Sequence, residues 1–470
     1  MIGREDERQM LLDRAQRFDA QLIVIYGRRR VGKTYLVRET FDGNFIFSYA
    51  GYENVSKKRQ LEEFTKALSR YGLEVGAVPE DWFSAFDLLF ALIKSHGSER
   101  KTVFIDEVPW MDNKNSEFMS ALEGFWNGKA SAIKNLCFIV CGSAASWITK
   151  KILHNRGGLY NRATLRILLK PFTLAECEEF FAMKGVRMTR YDIIGSYMIF
   201  GGIPYYLDNF DSRYSLSQNV DRLCFGEGAL LADEYETVFR SLFNNPEKHI
   251  EVIKALSARK KGLLREEIKE HLSFPDGGNL SRILKELELS GFIREYWPFG
   301  KKRKGSMFQL CDPFTLFYLT WMSGRRQGHE GFWSSLLGSG AYNAWSGYAF
   351  EQVCLAHIPQ IIRALGIAGV LTSCSAWSST DPDGDGAQID LVIERADNVI
   401  SLCEMKYCNT EYTVDKKEDL SLRNKRAAFE RETRTRKAAH LILVTTYGLK
   451  QGGYSSVFQS QVRMDDMFQR

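Results

Sequence analysis

Apolar positions along this chain follow two rhythms, and the alternation between them marks its parts. In the first 170 residues, short continuously apolar runs alternate with stretches of helical spacing. Leu22–Tyr26, Phe45–Tyr49, Thr102–Ile105, Leu136–Cys141 and Ala163–Leu169 read as strands buried on both faces. Arg4–Phe18, Leu61–Tyr71 and Trp82–His96 read as helices between them. Such alternation predicts a mostly parallel sheet with right-handed connections. After Pro171 the strand runs stop. Leu174–Ala182, Tyr191–Phe200 and Val220–Phe243 predict helices, with a break at Gly201-Gly202-Ile203-Pro204.

From Pro246 the pattern changes again. Helices are expected at Ile250–Ala258, at Leu263–Leu272 and under Leu280, Ile283, Leu284, Leu287 and Leu289. Pro275-Asp276-Gly277-Gly278 forms the turn before the third. Phe292–Tyr296 and Ser306–Leu310 alternate as two strands around the basic tip Lys301-Lys302-Arg303-Lys304. Three helices and a basic-tipped hairpin are the winged helix-turn-helix plan. Asn279, Ser281, Arg282 and Lys285 should face outward and could meet DNA, while Glu286 and Glu288 nearby oppose that. A clamp or partner surface is the alternative role. The last part reads helix Tyr342–Leu365, strands Val370–Ser375, Gln388–Glu394 and Val399–Lys406, helix Asp415–Arg434 and strand His440–Val444.

The fold class expected is therefore α/β multidomain, with parts at 1–170, 171–245, 246–312 and 313–470. The 470 residues leave room for about three or four domains. An apolar share of 44% supports a core in each. A net charge of +5 is mild and leaves room for local basic patches. The nine cysteines form no C-x-x-C pair and the seven histidines do not cluster, which argues against a zinc knuckle or disulfide framework. Cys137 and Cys141 read as small core residues. A reducing cytoplasm is the expected compartment. The charged start, Met1-Ile2-Gly3-Arg4-Glu5, does not read as a signal peptide, and no apolar run is long enough for a bilayer, so no membrane partner is expected.

Chemistry concentrates first at Gly27-Arg28-Arg29-Arg30-Val31-Gly32-Lys33-Thr34, which fits G-x-x-x-x-G-K-[ST] between a strand and a helix starting near Tyr35. The glycines let backbone N–H groups wrap a phosphate, and the helix N-terminus adds partial positive charge. Gly27 through Thr34 with Tyr35 are the expected ATP-contacting residues. Lys33 should reach the β- and γ-phosphates, and the Thr34 hydroxyl should ligate Mg²⁺. The run Thr102–Ile105 ends in Asp106, a second Mg²⁺ ligand, and Glu107, which would orient and deprotonate water. Ser143, closing the next strand, is the candidate γ-phosphate sensor. Arg156 and Arg162 are candidate arginine fingers, with Arg162 favoured.

Gly3-Arg4-Glu5, the phosphate loop, Ile105-Asp106-Glu107, Cys141-Gly142-Ser143 and Gly201-Gly202-Ile203-Pro204-Tyr205-Tyr206-Leu207 resemble the archaeal-type ATPase family, in the STAND branch of AAA+-related P-loop proteins. The resemblance is strong over the first half and extends weakly to the end. It implies that Arg4 lies near the adenine, that 171–245 is a helical lid, and that a winged helix and a nuclease-like domain follow.

The turn at Arg395–Asn398 makes a hairpin in which Asp390 falls opposite Cys403 and Glu404. Glu404 and Lys406 share one face, and Glu351 on the preceding helix can join them. Carboxylates so placed can bind Mg²⁺, with Lys406 helping to polarise a water that attacks a phosphodiester. Asp390, Glu404-x-Lys406 and the helix acid Glu351 resemble the PD-(D/E)xK nuclease superfamily, although Ile389 stands where proline is usual. A fold that binds DNA or protein without cutting is the alternative. Lys416–Lys437 carries nine basic and four acidic residues, enough to follow a phosphate backbone or simply to coat a solvated face. Asp381–Gly386 imitates the start of a calcium loop, but its twelfth position is Val392 and strands flank it. The expected function is an ATPase coupled to a DNA-binding or Mg²⁺-dependent nuclease-like module. The alternative is a regulatory STAND-type switch that binds protein or DNA, or associates with itself.

Overall fold

The computed structural model describes residues 2–469 apart from 98, 114, 154–157, 244, 275–277, 302–304, 326–327 and 380–386. The chain divides into two compact units, Met1–Pro171 and Phe172–Arg470.

In the first unit, β1 (Gln21–Tyr26), β2 (Phe47–Ala50), β3 (Lys101–Asp106), β4 (Leu136–Gly142) and β5 (Leu165–Leu168) form a wholly parallel sheet ordered β2-β3-β4-β1-β5. The apolar runs fold as strands because helices cover both faces; β1, β3 and β4 are buried almost throughout. The covering helices are α1 (Glu5–Ala15), α2 (Lys33–Thr40), α3 (Lys57–Arg70), α4 (Trp82–Ser95) and α5 (Phe118–Gly128). Ser56 caps α3 by accepting from Arg59 N–H at 3.2 Å, and Asp81 caps α4 by accepting from Ser84 N–H at 2.8 Å. Phe64, Trp82, Phe86 and Phe118 lock α3, α4 and α5 together, with ring centroids 5.0–6.2 Å apart. The order of strands sets the site: β4 lies between β1 and β3, so the ends of all three meet at one rim.

The second unit begins with α6 (Leu174–Met183) and α7 (Arg190–Phe200), each opened by a capping box on Thr173 and Thr189. The helix expected over 220–243 is broken. Asp221–Phe225 is a π-helical turn, and α8 covers only Glu234–Leu242. Buried Asp221 accepts from the N–H groups of Trp333 at 2.7 Å and Ser334 at 3.1 Å, a long-range demand that periodicity cannot show.

Next come α9 (Pro246–Ser257), α10 (Arg265–Glu270) and α11 (Asn279–Leu289) with an antiparallel sheet, ordered β6-β8-β7, of β6 (Leu263–Leu264), β7 (Ile293–Tyr296) and β8 (Met307–Leu310). The helix expected from Leu263 starts two residues later because Leu263 and Leu264 pair with Phe308 and Met307. The hairpin tip Lys302-Arg303-Lys304 and the turn residues Pro275-Asp276-Gly277 lie outside the described residues.

The remaining sheet is mixed and ordered β13-β12-β11-β10-β9. β9 (Thr372–Ser378), β10 (Gln388–Arg395) and β11 (Val399–Lys406) run antiparallel; β12 (Ala438–Thr445) and β13 (Ser460–Arg463) continue parallel to β11. Strand β13 was not expected; its four residues, Ser460-Gln461-Val462-Arg463, carry one buried apolar side chain. The helix expected over 342–365 divides at His357 into α12 (Gly340–Ala356) and α13 (Ile358–Ala364), with Pro359 in the first turn of α13. Helix α14 spans Lys416–Thr433. The calcium-loop mimic around Asp381–Gly386 lies outside the described residues.

His357 ties the front of this unit to its rear. Its Nε2 accepts from Leu174 N–H at 3.0 Å, and its Nδ1 faces Val353 C=O at 2.8 Å, so the buried ring is neutral with the proton on Nδ1. Burial lowers its pKa to about 4. Tyr191 on α7 stacks on Tyr407 at 4.9 Å, and Arg190 pairs with Asp465 at 2.9 Å. Residues 172–200 are thus joined to the mixed sheet. Among the described residues no helix is long and apolar enough to cross a membrane.

Candidate functional site

The phosphate loop leaves β1 at Gly27. A side chain there would stand 2.3 Å from Leu169 O, so only glycine fits. Gly32 caps α2 in the left-handed region, with φ +89°. Lys33 is buried, and its Nζ donates to Gly27 O at 3.1 Å, Arg28 O at 2.9 Å and Ser143 Oγ at 3.1 Å. Thr34 Oγ1 donates to Asp106 Oδ2 at 2.6 Å, and Glu107 N–H to Asp106 Oδ1 at 2.9 Å. Ser143 donates to Glu107 twice, from its N–H at 2.9 Å and from its hydroxyl. Residues 33, 34, 106, 107 and 143 therefore form one connected set. Strand β4, standing between β1 and β3, carries Ser143 into the gap between lysine and glutamate.

Burial raises the Glu107 pKa, and Lys33 and the Ser143 donors offset only part of that rise. A carboxyl tuned upward this way is better suited to take a proton from water. Glu107 holds φ +47°, in the left-handed region, at the turn after β3. Thr34 and Asp106 present hard oxygen donors side by side at the loop, a donor set that fits Mg²⁺.

Other expected nucleotide contacts fall around this set. Arg4 is buried and donates to Lys170 O at 2.6 Å and Val31 O at 3.5 Å, bracing the loop from below. Arg28 is buried, Arg29 lies 5.9 Å from the Trp110 ring, Arg30 takes φ +72°, and Tyr35 is exposed on the first turn of α2. Arg162 is not brought to the site within this chain. It is exposed just before β5, and the parallel register with β1 puts that end at the rim opposite the loop. Arg156 lies outside the described residues.

Gln60 escaped the sequence reading. Fully buried, it accepts from Tyr49 O–H at 2.8 Å and Tyr52 N–H at 3.2 Å, and donates to Tyr52 O at 2.6 Å and Trp110 O at 3.1 Å. It fastens the turn after Glu107 to the end of β2. Its sequence signal, one amide in the first turn of an amphipathic helix, is too common to single out.

The second cluster lies in the C-terminal unit. Leu391 pairs with Cys403 between β10 and β11, and Asp390 and Glu404 stand next to that pair, one on each strand, near enough for the Glu404 charge to act on Asp390. Lys406 Nζ lies 3.1 Å from Glu404 and 3.3 Å from Glu418. Lys425 of α14, which the sequence reading did not single out, lies 2.6 Å from the other Glu404 oxygen. Burial acts to raise the Glu404 pKa, but Lys425 and Lys406 outweigh it and hold the carboxyl below its usual range. Asp390 is shifted up by burial, with Glu404 adding. Glu351 on α12 is pushed up to about 8 by burial and by the Asp390 charge. The expected metal group of Glu351, Asp390 and Glu404 is not assembled: among the described residues, no three His, Cys, Asp or Glu side chains are gathered to hold a cation. Both oxygens of Glu404 are held by lysines instead.

A parallel sheet with a glycine-lysine phosphate loop after one strand and acids at the end of another, one strand away, defines a P-loop nucleotide-binding domain. Residues 1–210 match the family described as the ATPase domain predominantly from Archaea, so the chain carries an archaeal-type ATPase domain. An uncharacterized protein of Methanocaldococcus jannaschii is 25% identical over 357 residues, covering 75% of this chain and 76% of that protein. Among solved structures, a Walker-type ATPase of Pyrococcus abyssi aligns with 17% identity and a TM-score of 0.49, covering 68% of this chain and 96% of its own. The ORC2 protein of Aeropyrum pernix, in ADPNP–ADP complexes, aligns with 15% identity and a TM-score of 0.40, covering 66% and 89%.

Proposed function

We propose that this protein hydrolyses ATP at residues 27–35, 106, 107 and 143, and that its C-terminal unit engages nucleic acid. The observation that carries the first part is the continuous set from Lys33 through Ser143 to Glu107, beside Thr34 and Asp106. Lys33 now rests on loop carbonyls and turns to the β- and γ-phosphates when ATP enters. Thr34 and Asp106 would hold Mg²⁺, which when bound would neutralise developing phosphate charge. Ser143 touches Lys33 and Glu107 together, so it senses whether a γ-phosphate is present. Glu107, released from Ser143, orients water and accepts its proton. Arg162 serves as an arginine finger only if a second copy receives it. Residues 171–245, read as a lid, pass the nucleotide state onward because His357 binds α6 to the α12–α13 junction and Tyr407, just past β11, stacks on α7. Residues 246–312 are read as a winged helix.

Phosphate release and ATP calorimetry test this. Lys33→Ala should reduce turnover by about 10²–10³-fold; unimpaired turnover in that variant refutes the assignment.

Asp390 and Glu404, close enough for one charge to act on the other, with Lys406 on Glu404, support a second reading, cleavage of a phosphodiester in the PD-(D/E)xK manner. Wild type should then cut linear or circular DNA with Mg²⁺, and Glu404→Ala should abolish cutting. A wild type that leaves DNA intact in every nucleotide state ends this reading and leaves a switch that binds without cutting.

A further inference from the structure

A cleft of about 1040 Å³ opens beside Glu351 and Asp390 in the C-terminal unit. Arg259, Lys260 and Lys261 line it from the loop between α9 and β6, and Lys417, Lys425 and Arg431 line it from α14. A recess of about 130 Å³ shares Lys261, Glu351 and Asp390 with the cleft and adds Arg294 and Gln352. Gln352 is buried, and its side-chain Nε2 has no hydrogen-bond acceptor among the described residues.

The α9–β6 loop is held in place by its backbone. Lys260 C=O accepts from Tyr348 O–H at 3.0 Å and from Gln309 Nε2 at 2.6 Å, and Lys261 C=O accepts from Tyr296 O–H. Tyr348 stands on α12, one turn before Glu351. These bonds fix the loop without using the Lys261 ammonium. Lys261 and Lys417 are exposed and pair with no acid among the described residues. The contrast with α11 is direct. Arg282 pairs with Glu286 at 2.9 Å and Lys285 with Glu288 at 2.8 Å, so the cations of the expected reading helix are neutralised on that helix.

On α14, Lys417, Ser421, Asn424, Ala428 and Arg431 line the cleft at intervals of four and three, a single helical face with cations at both ends and small residues between. The rise from Lys417 to Arg431 is about 21 Å. That is about six steps of a duplex strand at roughly 3.4 Å each. A row of that length suits a repeating polyanion better than a peptide with one local acidic cluster.

We infer that this cleft is where the C-terminal unit grips a phosphodiester backbone, with residues 259–261 contributing part of its lining while α11 stays off the nucleic acid. The inference deepens the nucleic-acid reading above. The test uses the full chain with chelator present, so neither cleavage nor Mg²⁺–ATP is needed. Labelled duplex DNA, single-stranded DNA, RNA and a polyglutamate peptide are titrated by fluorescence anisotropy over a range of salt. The double variant Lys261→Ala/Lys417→Ala should weaken nucleic-acid binding at least tenfold. It should also reduce the slope of log K against log salt by about two, one for each phosphate no longer neutralised. Arg282→Ala/Lys285→Ala should change affinity less than twofold. If the Ala pair fails to fold by circular dichroism, Lys417→Glu alone supplies the same comparison. Binding that Arg282→Ala/Lys285→Ala weakens as much as the cleft pair overturns this inference and leaves the nucleic-acid reading standing. Absence of binding, or tighter binding of polyglutamate, overturns both.

Discussion

The two units each bring carboxylates together at strand ends, but they hold them by different means. In the first unit, Asp106 and Glu107 rest on the hydroxyls of Thr34 and Ser143 and on backbone N–H groups. In the second, Glu404 rests on the ammonium groups of Lys425 and Lys406. A hydroxyl carries no charge, so a cation can displace it or bind beside it. An ammonium competes with a cation for the same oxygens. On the reading proposed above, the first site would take a metal–triphosphate once Lys33 turns from the loop carbonyls and Ser143. The second has both Glu404 oxygens held by its own lysines, and Lys425 also lines the adjoining cleft.

The strongest test of the contrast is Glu107→Gln. It keeps one acceptor oxygen for Ser143 and removes the base, so ATP turnover should fall by about 10²–10³-fold with ATP affinity retained. Turnover kinetics beside calorimetry separate the two, and equal loss of both would place Glu107 in binding instead.

Next in size is a proton dependence confined to the C-terminal unit. His357 has a pKa of about 4 when folded and 6.5 when free. Between those values the unfolded chain takes up a proton that the folded one refuses. Stability from this group is fully present above pH 6.5 and is lost progressively as pH falls toward 4, by about 3 kcal/mol in all. Glu351, pushed up to about 8, gains stability as pH falls over part of the same range, so the wild-type profile carries both slopes. Urea unfolding of wild type beside His357→Gln isolates the histidine part: the difference between them should shrink by about 3 kcal/mol as pH falls from 6.5 toward 4. A difference that does not change with pH would contradict the neutral ring seen here.

The smallest effect sharpens the contrast itself. Lys425→Met should cost about 1–3 kcal/mol by leaving Glu404 with one lysine. It should also move the Glu404 pKa upward, since burial then meets less opposition. Carbon-detected NMR titration reads the shift. An unchanged Glu404 would mean that Lys406 alone sets its charge.

Much of this was legible from local pattern. The phosphate loop and Asp106-Glu107 are contiguous words in the sequence, and the turn at Arg395–Asn398 was enough to expect the antiparallel pairing of β10 with β11. What escaped depends on distant partners. Lys425 looks like any cation on a charged helix, Gln60 like any amide, and His357 like the middle of one long helix. The break at Asp221 is written in the needs of Trp333 and Ser334, more than a hundred residues away.

Sequence alone determined which side chains could do chemistry here, because a phosphate cradle and a strand-end acid are made by neighbours along the chain. Only the tertiary structure decided how those side chains are poised. It slid β4 between β1 and β3 to join Lys33, Ser143 and Glu107, left Arg162 at the far rim, and set Lys425 on Glu404. Strand order and helix docking are chosen by burial over the whole core, and that choice fixes the distances on which charge and proton transfer depend.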